Sequence, residues 1–170
     1  MKIEIDMKYL SQWDNRRVPG GTCNLTSLAM CFLKYGIKGP DYGYARLPDN
    51  LYAYCEDKKL DRHLPEDIDK VSTAFGLNDN LSRTSNFGAI KAHLFSKRPV
   101  IVHGWFTPSG HIIVLKGVDE EAGKWQAHDP AGRWNQGYWD GSSGENVWYD
   151  SAWLRKMLGP DGDIWAHLMH

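Results

Sequence analysis

The first half of the chain carries its apolar residues at helical spacing. After an extended, loop-like start over residues 1–22, apolar side chains recur every three or four positions from Cys23 to about Tyr35, and Gly36 follows as a cap. The same spacing, with proline or glycine near the ends, predicts three more helices. They cover about 65–75, 87–96 and 151–158.

Short apolar runs in the second half predict strands over 99–103, 111–118 and 124–128. Turn residues separate these runs, as is typical of an antiparallel meander. Because helices precede strands, the order favours an α+β fold with an N-terminal helical layer packed on an antiparallel sheet. On a two-residue period, His111 shares a face with Ile113 and Leu115, and we expect that face to pack on the helix that begins at Cys23.

Length and composition predict one domain over residues 1–170. Residues 37–64 mix Gly, Pro, Asp and Tyr, with a short helical stretch near Leu51–Glu56, and we interpret them as an insertion between core elements. The net charge of −1 gives no basis for binding nucleic acid. No apolar run is long enough for a signal peptide or a membrane span. We therefore expect synthesis in the cytoplasm without membrane insertion. Release from the cell by lysis, or through a particle, stays open.

Eight tryptophans, six of them from Trp125 onward, are unusual for this length. They fit either ordinary packing or an aromatic-walled cleft for a peptide or sugar polymer. We expect the walls of such a cleft to come from residues 37–64 and 133–148.

The most informative residue is Cys23, at the start of the first predicted helix. Unpaired N–H groups and the helix dipole favour a thiolate there, as an activated nucleophile requires. The other cysteines carry less information: Cys31 lies in an apolar run, where packing is expected, and no role follows for Cys55. Three cysteines without a CxxC pair predict neither a disulfide framework nor a structural zinc, and no cofactor is expected.

Three further residues would complete a thiol active site. His111 begins an apolar strand after a glycine, which places it at a sheet rim as a candidate base. Asp129 lies in an Asp-Pro turn and comes beside His111 if the two strands pair, where it could fix the imidazole tautomer. Gln12 could join the Cys23 backbone N–H as an oxyanion donor. Alone, each residue has an ordinary explanation: a surface histidine, a turn aspartate and a solvated glutamine.

Four sequence blocks together resemble the papain-like cysteine peptidases, in the branch related to the bacteriocin-processing, double-glycine leader peptidases. The blocks are Gln12–Asn15, Gly21–Met30, Gly110–Leu115 and His128–Gly132. The resemblance implies that Cys23 is the nucleophile, His111 the general base and acid, Asp129 its orienting group and Gln12 the oxyanion donor. It also requires residues 13–22 to fold back, because their length exceeds that of the corresponding loop in papain.

The resemblance implies a peptide or protein substrate. Related free-standing domains occur in bacteria and in phage-encoded cell-wall enzymes, which makes peptidoglycan cross-bridges one candidate substrate and a phage particle one candidate location. The sequence does not distinguish an endopeptidase from a transpeptidase, and it leaves the oligomeric state open, with a monomer expected.

Two other classes of function are compatible with parts of the sequence. A metal-dependent hydrolase could use His103, His111, His128 and Asp129, although residues 128 and 129 point to opposite faces of a strand and no HExxH motif occurs. A non-catalytic module of the same fold could use its tryptophans to bind a peptide or glycan, but the complete Gln, Cys, His and Asp set favours an enzyme.

Overall fold

The computed structural model describes residues 1–135 and 137–170, and within them the chain forms an α+β fold. The helices are α1 (Cys23–Lys34), α2 (Leu47–Lys58), α3 (Pro65–Ala74), α4 (Phe87–Phe95) and α5 (Ser151–Leu158). The strands are β1 (Lys2–Glu4), β2 (Asp79–Ser85), β3 (Val100–Gly104), β4 (His111–Asp119), β5 (Lys124–His128), β6 (Trp134–Asn135), β7 (Tyr138–Trp139), β8 (Val147–Asp150) and β9 (Ile164–Met169). The predicted fold class is confirmed.

Seven of these strands form one antiparallel sheet: six follow the order β2-β9-β3-β4-β5-β8, and β1 pairs with β4 outside that order. The long central strand β4 pairs with β3 along its first half and with β1 along its second half, while β5 covers its other edge. Gly117 lies where β1 crosses close to β4, and a Cβ there would stand 2.6 Å from the carbonyl oxygen of Ile3. A side chain at position 117 would therefore push β1 off the sheet.

Helices cover both faces of the sheet, which corrects one expectation. Ile113 and Leu115 belong to the core beneath α4 and α5, whereas Ile112 and Val114 pack with α1, α2 and α3. We predicted that Ile113 and Leu115 face α1, because the sequence pattern indicated helices on only one face of the sheet. A strand buried on both faces shows no alternation that could have identified which face meets α1.

The helix at 47–58 extends beyond the stretch predicted near 51–56. Its first turn contains Asp49, which is buried because its carboxylate accepts the backbone N–H groups of Arg16 and Arg17 at 3.2 and 2.8 Å. Because the first turn of α2 is polar, its sequence resembles that of a loop. Leu51 and Cys55 complete the packing of α2 against α1.

Four strands of the main sheet were not predicted. Strands β2 and β9 pair with each other and extend the sheet beyond β3, and β1 and β8 flank β4 and β5. The sequence of β2 is largely polar because an edge strand exposes much of its surface. In the part of the chain that the structure describes, no helix is long and apolar enough to cross a bilayer.

Packing of α1 can be tested with two leucines of the same helix. Leu28 is fully buried and Leu33 is 39% exposed. Because Leu28→Ala leaves a cavity, it should lower the free energy of unfolding by about 2–5 kcal/mol. Leu33→Ala, the matched control, should cost about 1 kcal/mol or less. Urea unfolding measures both, and equal losses would contradict the assigned face of α1.

Candidate active site

A cleft of about 500 Å³ lies where the N-terminus of α1 meets the first residue of β4. Gln12, Cys23 and His111 all line it. Cys23 is half-buried and lines the cleft, whereas Cys31 and Cys55 are buried in the core. The helix–sheet packing therefore brings three of the four predicted site residues to one opening.

The N-terminus of α1 is left open toward this cleft. Thr22 occupies the position of a capping residue but makes no side-chain cap, because its Oγ1 accepts a hydrogen bond from Nδ2 of Asn15 at 3.0 Å. The backbone N–H of Leu25 donates to Oδ1 of Asn24 at 2.8 Å, whereas the backbone of Asn24 contacts the Cys23 side chain. The first N–H groups of the helix, those of Cys23 and Asn24, are therefore the ones placed to interact with the sulfur or with a bound carbonyl.

Burial raises the pKa of the Cys23 thiol, but opposing interactions outweigh it. The hydrogen bond and charge of His111, with backbone contacts from Ile112 and Asn24, hold the pKa of Cys23 below its ordinary value. Burial lowers the pKa of His111, yet the charge and hydrogen bond of Asp129 and the contact with Cys23 raise it to about 10. Both directions favour a thiolate facing an imidazolium.

Asp129 lies beside His111 because β4 and β5 pair with Val114 opposite His128. Nε2 of His111 donates to Oδ1 of Asp129 at 2.7 Å, and both side chains are almost fully buried. This bond occupies Nε2 and leaves Nδ1 as the ring nitrogen for the sulfur. Such an arrangement fixes the imidazole orientation that thiol catalysis needs.

Two residues that the sequence analysis missed hold Asp129 in place. The hydroxyl of Tyr149 donates to Oδ2 of Asp129 at 2.8 Å. The backbone N–H of Asp129 donates to the carbonyl of Gly144 at 2.9 Å, and a Cβ at position 144 would collide with the carbonyl of Asp129. Neither residue lies near Asp129 in sequence, so no local motif could have identified them.

Aromatic rings enclose His111. Phe106 and Trp139 meet its imidazole edge-on, with ring centroids 5.3 and 5.2 Å away. They exclude water from the bond between His111 and Asp129, which strengthens that bond in a low-dielectric environment. Trp139 thereby serves the site as a wall, which the sequence could not separate from ordinary packing.

Gln12 lies at the start of a 3-10 helical turn, Gln12–Asp14, and is 3% exposed. Its Nε2 donates to the carbonyl of Pro19 at 2.9 Å, which uses one of the two amide hydrogens. Residues 13–22 do fold back, because Asn15 Nδ2 also donates to Oγ1 of Thr26 at 2.9 Å and ties the loop to α1. Among the described residues the Gln12 amide makes no second donor contact, and Gln12 lines the cleft.

The cleft walls differ from those predicted. Residues 37–64 contribute His63 and residues 133–148 contribute Trp139, while Gln136 of the second segment lies outside the described residues. The remaining lining comes from residues 12–24, from β3, β4 and the loop between them, and from the end of α5 and the chain after it, including Trp105, Asp161 and Trp165. Loops distant in sequence meet here because both follow elements that end at this rim of the sheet.

The alternative metal site finds no support in the geometry. His128 uses both ring nitrogens, with Nε2 2.9 Å from the carbonyl of Met7 and Nδ1 accepting the N–H of Asn146 at 3.1 Å. Within residues 1–135 and 137–170, no three His, Cys, Asp or Glu side chains are grouped to hold a metal ion. The other two thiols are buried in the core, and burial raises the pKa of Cys31 and that of Cys55, the latter to about 11.

Comparisons with known proteins place this geometry in a family context. Residues 4–154 match the model of the Peptidase C39-like family. A double-glycine-motif protease from an AMS/PCAT transporter, solved in complex with the leader peptide, is 16% identical with a TM-score of 0.56, over 96% of this chain and 93% of that one. A C39-like peptidase from Bacillus anthracis is 12% identical with a TM-score of 0.54, over 98% and 97%. A search of the curated proteins found no match.

Thiol labelling tests the electrostatics of the cleft. Iodoacetamide at pH 7 should modify Cys23 well before Cys31 or Cys55, because only Cys23 combines a lowered pKa with access to solvent. In His111→Ala the labelling rate should fall about tenfold or more and recover only above about pH 8.5, where an ordinary thiol ionises. Mass spectrometry locates the adduct, and equal labelling of all three cysteines would contradict this assignment.

Proposed function

We infer the reaction from one premise: the chain belongs to the Peptidase C39-like family and is a cysteine peptidase. We propose that Cys23, His111 and Asp129 form its catalytic triad. The observation that carries the proposal is the coupling of a half-buried thiol to an imidazole whose other nitrogen is bound by a buried carboxylate. A binding module would need none of this, so the lowered pKa of Cys23 favours turnover over simple binding.

The proposed reaction proceeds through an acyl-enzyme. The Cys23 thiolate attacks the carbonyl carbon of a peptide bond, and the carbonyl electron pair moves to oxygen. The tetrahedral intermediate collapses, the C–N bond breaks, and the His111 imidazolium gives its proton to the leaving amine. Neutral His111 then takes a proton from water, whose hydroxide attacks the thioester. Collapse releases the carboxylic acid and restores the thiolate with the imidazolium.

Asp129 remains ionised throughout this cycle. Its carboxylate accepts the Nε2–H of His111, the hydroxyl of Tyr149 and the backbone N–H of Ala131 at 3.1 Å. These donors stabilise the negative charge, so the carboxylate supports the imidazolium without taking its proton.

We propose that two donors form the oxyanion hole. One is the backbone N–H of Cys23, at the uncapped start of α1. The other is the second amide hydrogen of Gln12, whose side chain the Pro19 carbonyl holds at 2.9 Å. Because this amide is fixed before substrate arrives, little reorganisation is needed as charge develops on the carbonyl oxygen.

The shape of the cleft supports a peptide as substrate. Trp13 and Trp105, 54% and 53% exposed, and the half-buried Trp165 all line the opening. The transporter protease of similar fold was solved with a leader peptide, which supports a peptide as the ligand of this cleft. Peptidoglycan cross-bridges, a role in a phage particle, a cytoplasmic origin, a single domain over 1–170 and a monomeric state stay predictions from the sequence.

The identity of the nucleophile can be tested with two cysteines of α1. Cys23→Ala should abolish cleavage of peptide substrates and of purified peptidoglycan, because the residual binding groups supply no nucleophile. Cys31→Ala, a matched change in the same helix, should retain turnover. Release of new amino termini measures both. If Cys31→Ala loses turnover while Cys23→Ala keeps it, the nucleophile is wrongly assigned.

Gln12→Ala tests the oxyanion donor separately. Loss of one preorganised donor should lower kcat by about 10²–10³-fold while KM changes little. The rate of Cys23 labelling should stay near that of the wild type, because the thiolate depends on His111 rather than on Gln12. Steady-state kinetics on a fluorogenic peptide measure kcat, and an unchanged kcat would remove Gln12 from the mechanism.

A further inference from the structure

A second chain of hydrogen-bonded imidazoles ends in the same cleft, and the proposed mechanism does not use it. Nδ1 of His167, in β9, lies 2.5 Å from Oδ2 of Asp79, in β2. Nε2 of His167 lies 2.8 Å from Nε2 of His103, in β3. Asp79 and His167 have fully buried side chains, whereas His103 lines the cleft.

The sheet register explains why this chain reaches the active site. His167 lies opposite Ile101 in β3, and His103 lies opposite Ile112 in β4. His103 therefore shares a face of the sheet with His167 and is a cross-strand neighbour of the residue that follows His111. The three linked side chains cross β2, β9 and β3 beneath the helices and end beside the catalytic rim.

The charges in this chain decide where its protons lie. Asp79 has only one bonded oxygen, because its Oδ1 is buried without a hydrogen-bond partner in the described part of the chain. A buried carboxylate this poorly solvated needs a cation in contact, and His167 is the group that touches it. The geometry points to an imidazolium at His167, which donates from both ring nitrogens.

The proton on His103 follows from that assignment. Nε2 of His103 must accept the hydrogen bond from His167, so the proton of the neutral His103 ring lies on Nδ1. Burial, with the charges of His167 and Arg83, lowers the pKa of His103 to about 3, which keeps this ring neutral. Nδ1 makes no hydrogen bond to any residue in 1–135 or 137–170 and is not enclosed, so it is free to meet a ligand.

We propose that His103 is a substrate-binding residue, whose Nδ1–H donates to a backbone carbonyl of the peptide in the cleft. Asp79 and His167 are positioning residues that fix this proton. Trp165 meets the His103 ring edge-on at 6.0 Å and limits its rotation. Asp161 and Asp163 line the same cleft, and no lysine or arginine does among its described lining residues, so a neutral carbonyl fits better than a carboxylate. The inference rests on the proposed function.

Nuclear magnetic resonance of ¹⁵N-labelled histidines tests the proton positions without turnover. The wild type should show His103 protonated at Nδ1 alone and His167 at both nitrogens. Asp79→Asn removes the counter-charge, so His167 should keep one ring proton. The control is Asp69→Asn, which removes a nearby charge without removing a bond of the relay: Asp69 interacts electrostatically with Asp79 and His167, but its carboxylate accepts from Thr73. Both His167 protons should therefore stay in place in this variant. A wild-type His103 protonated at Nε2 would overturn the relay.

Peptide kinetics test the binding role. His103→Leu should raise KM about tenfold with kcat within about twofold, which corresponds to one lost hydrogen bond of about 1.4 kcal/mol. His103→Asn, whose amide can place an N–H near the position of Nδ1, should recover most of that loss. Thermal unfolding and Cys23 labelling check that both variants fold with an intact thiolate. An unchanged KM in a folded His103→Leu variant would overturn the inference. A wild type without any cleavage would instead count against the proposed function, and the proton positions measured by magnetic resonance would then decide whether the relay exists.

Discussion

The active-site region depends on one buried bond, between Nε2 of His111 and Oδ1 of Asp129 at 2.7 Å. Removing two such groups from water is costly, and the attraction between them offsets the cost only if the remaining oxygens are also satisfied. Tyr149 and the N–H of Ala131 meet that requirement. The aromatic wall of Phe106 and Trp139 then excludes water, so a polar pair can persist inside an apolar core.

This bond also links the two halves of the molecule. His111 begins β4, and Asp129 directly follows the adjacent strand β5. Cys23 begins α1, which packs on the face of the sheet that contains Ile112 and Val114. They meet only because α1 begins at the rim where β4 begins. The packing of Leu25 and Leu28 against Ile112 and Val114 therefore helps to set the position of the Cys23 thiol relative to the His111 imidazole, on which the proposed mechanism depends.

Local patterns were sufficient to predict the helix at 23–34 and the strands that carry His111 and precede Asp129. Cys23 begins an element with helical spacing, and His111 and Asp129 lie at the start and just past the end of short apolar runs bounded by turn residues, so the sequence indicates both the element type and its approximate boundary. The residues that complete the site, Tyr149 and Gly144, could not be predicted from local patterns. They meet Asp129 only because β5 pairs with β8 and because the loop before β8 returns to Asp129. The prediction of which face of β4 meets α1 was wrong for a related reason. A strand that is buried on both faces has no polar side from which its orientation in the sheet could be predicted.

Two aspartate–histidine pairs in one small fold show how surroundings divide their roles. Asp129 accepts three donors, so its charge is stable whether His111 is protonated or neutral, and His111 can exchange its proton during a reaction. Asp79 accepts one described donor, so its charge depends on His167 remaining protonated. The Asp129–His111 pair therefore suits proton transfer, whereas the Asp79–His167 pair suits a histidine whose ring protons stay in fixed positions. We therefore attribute the different proposed roles of His111, in proton transfer, and of His167, in positioning, to the number of hydrogen bonds on their carboxylates rather than to the identity of the residues.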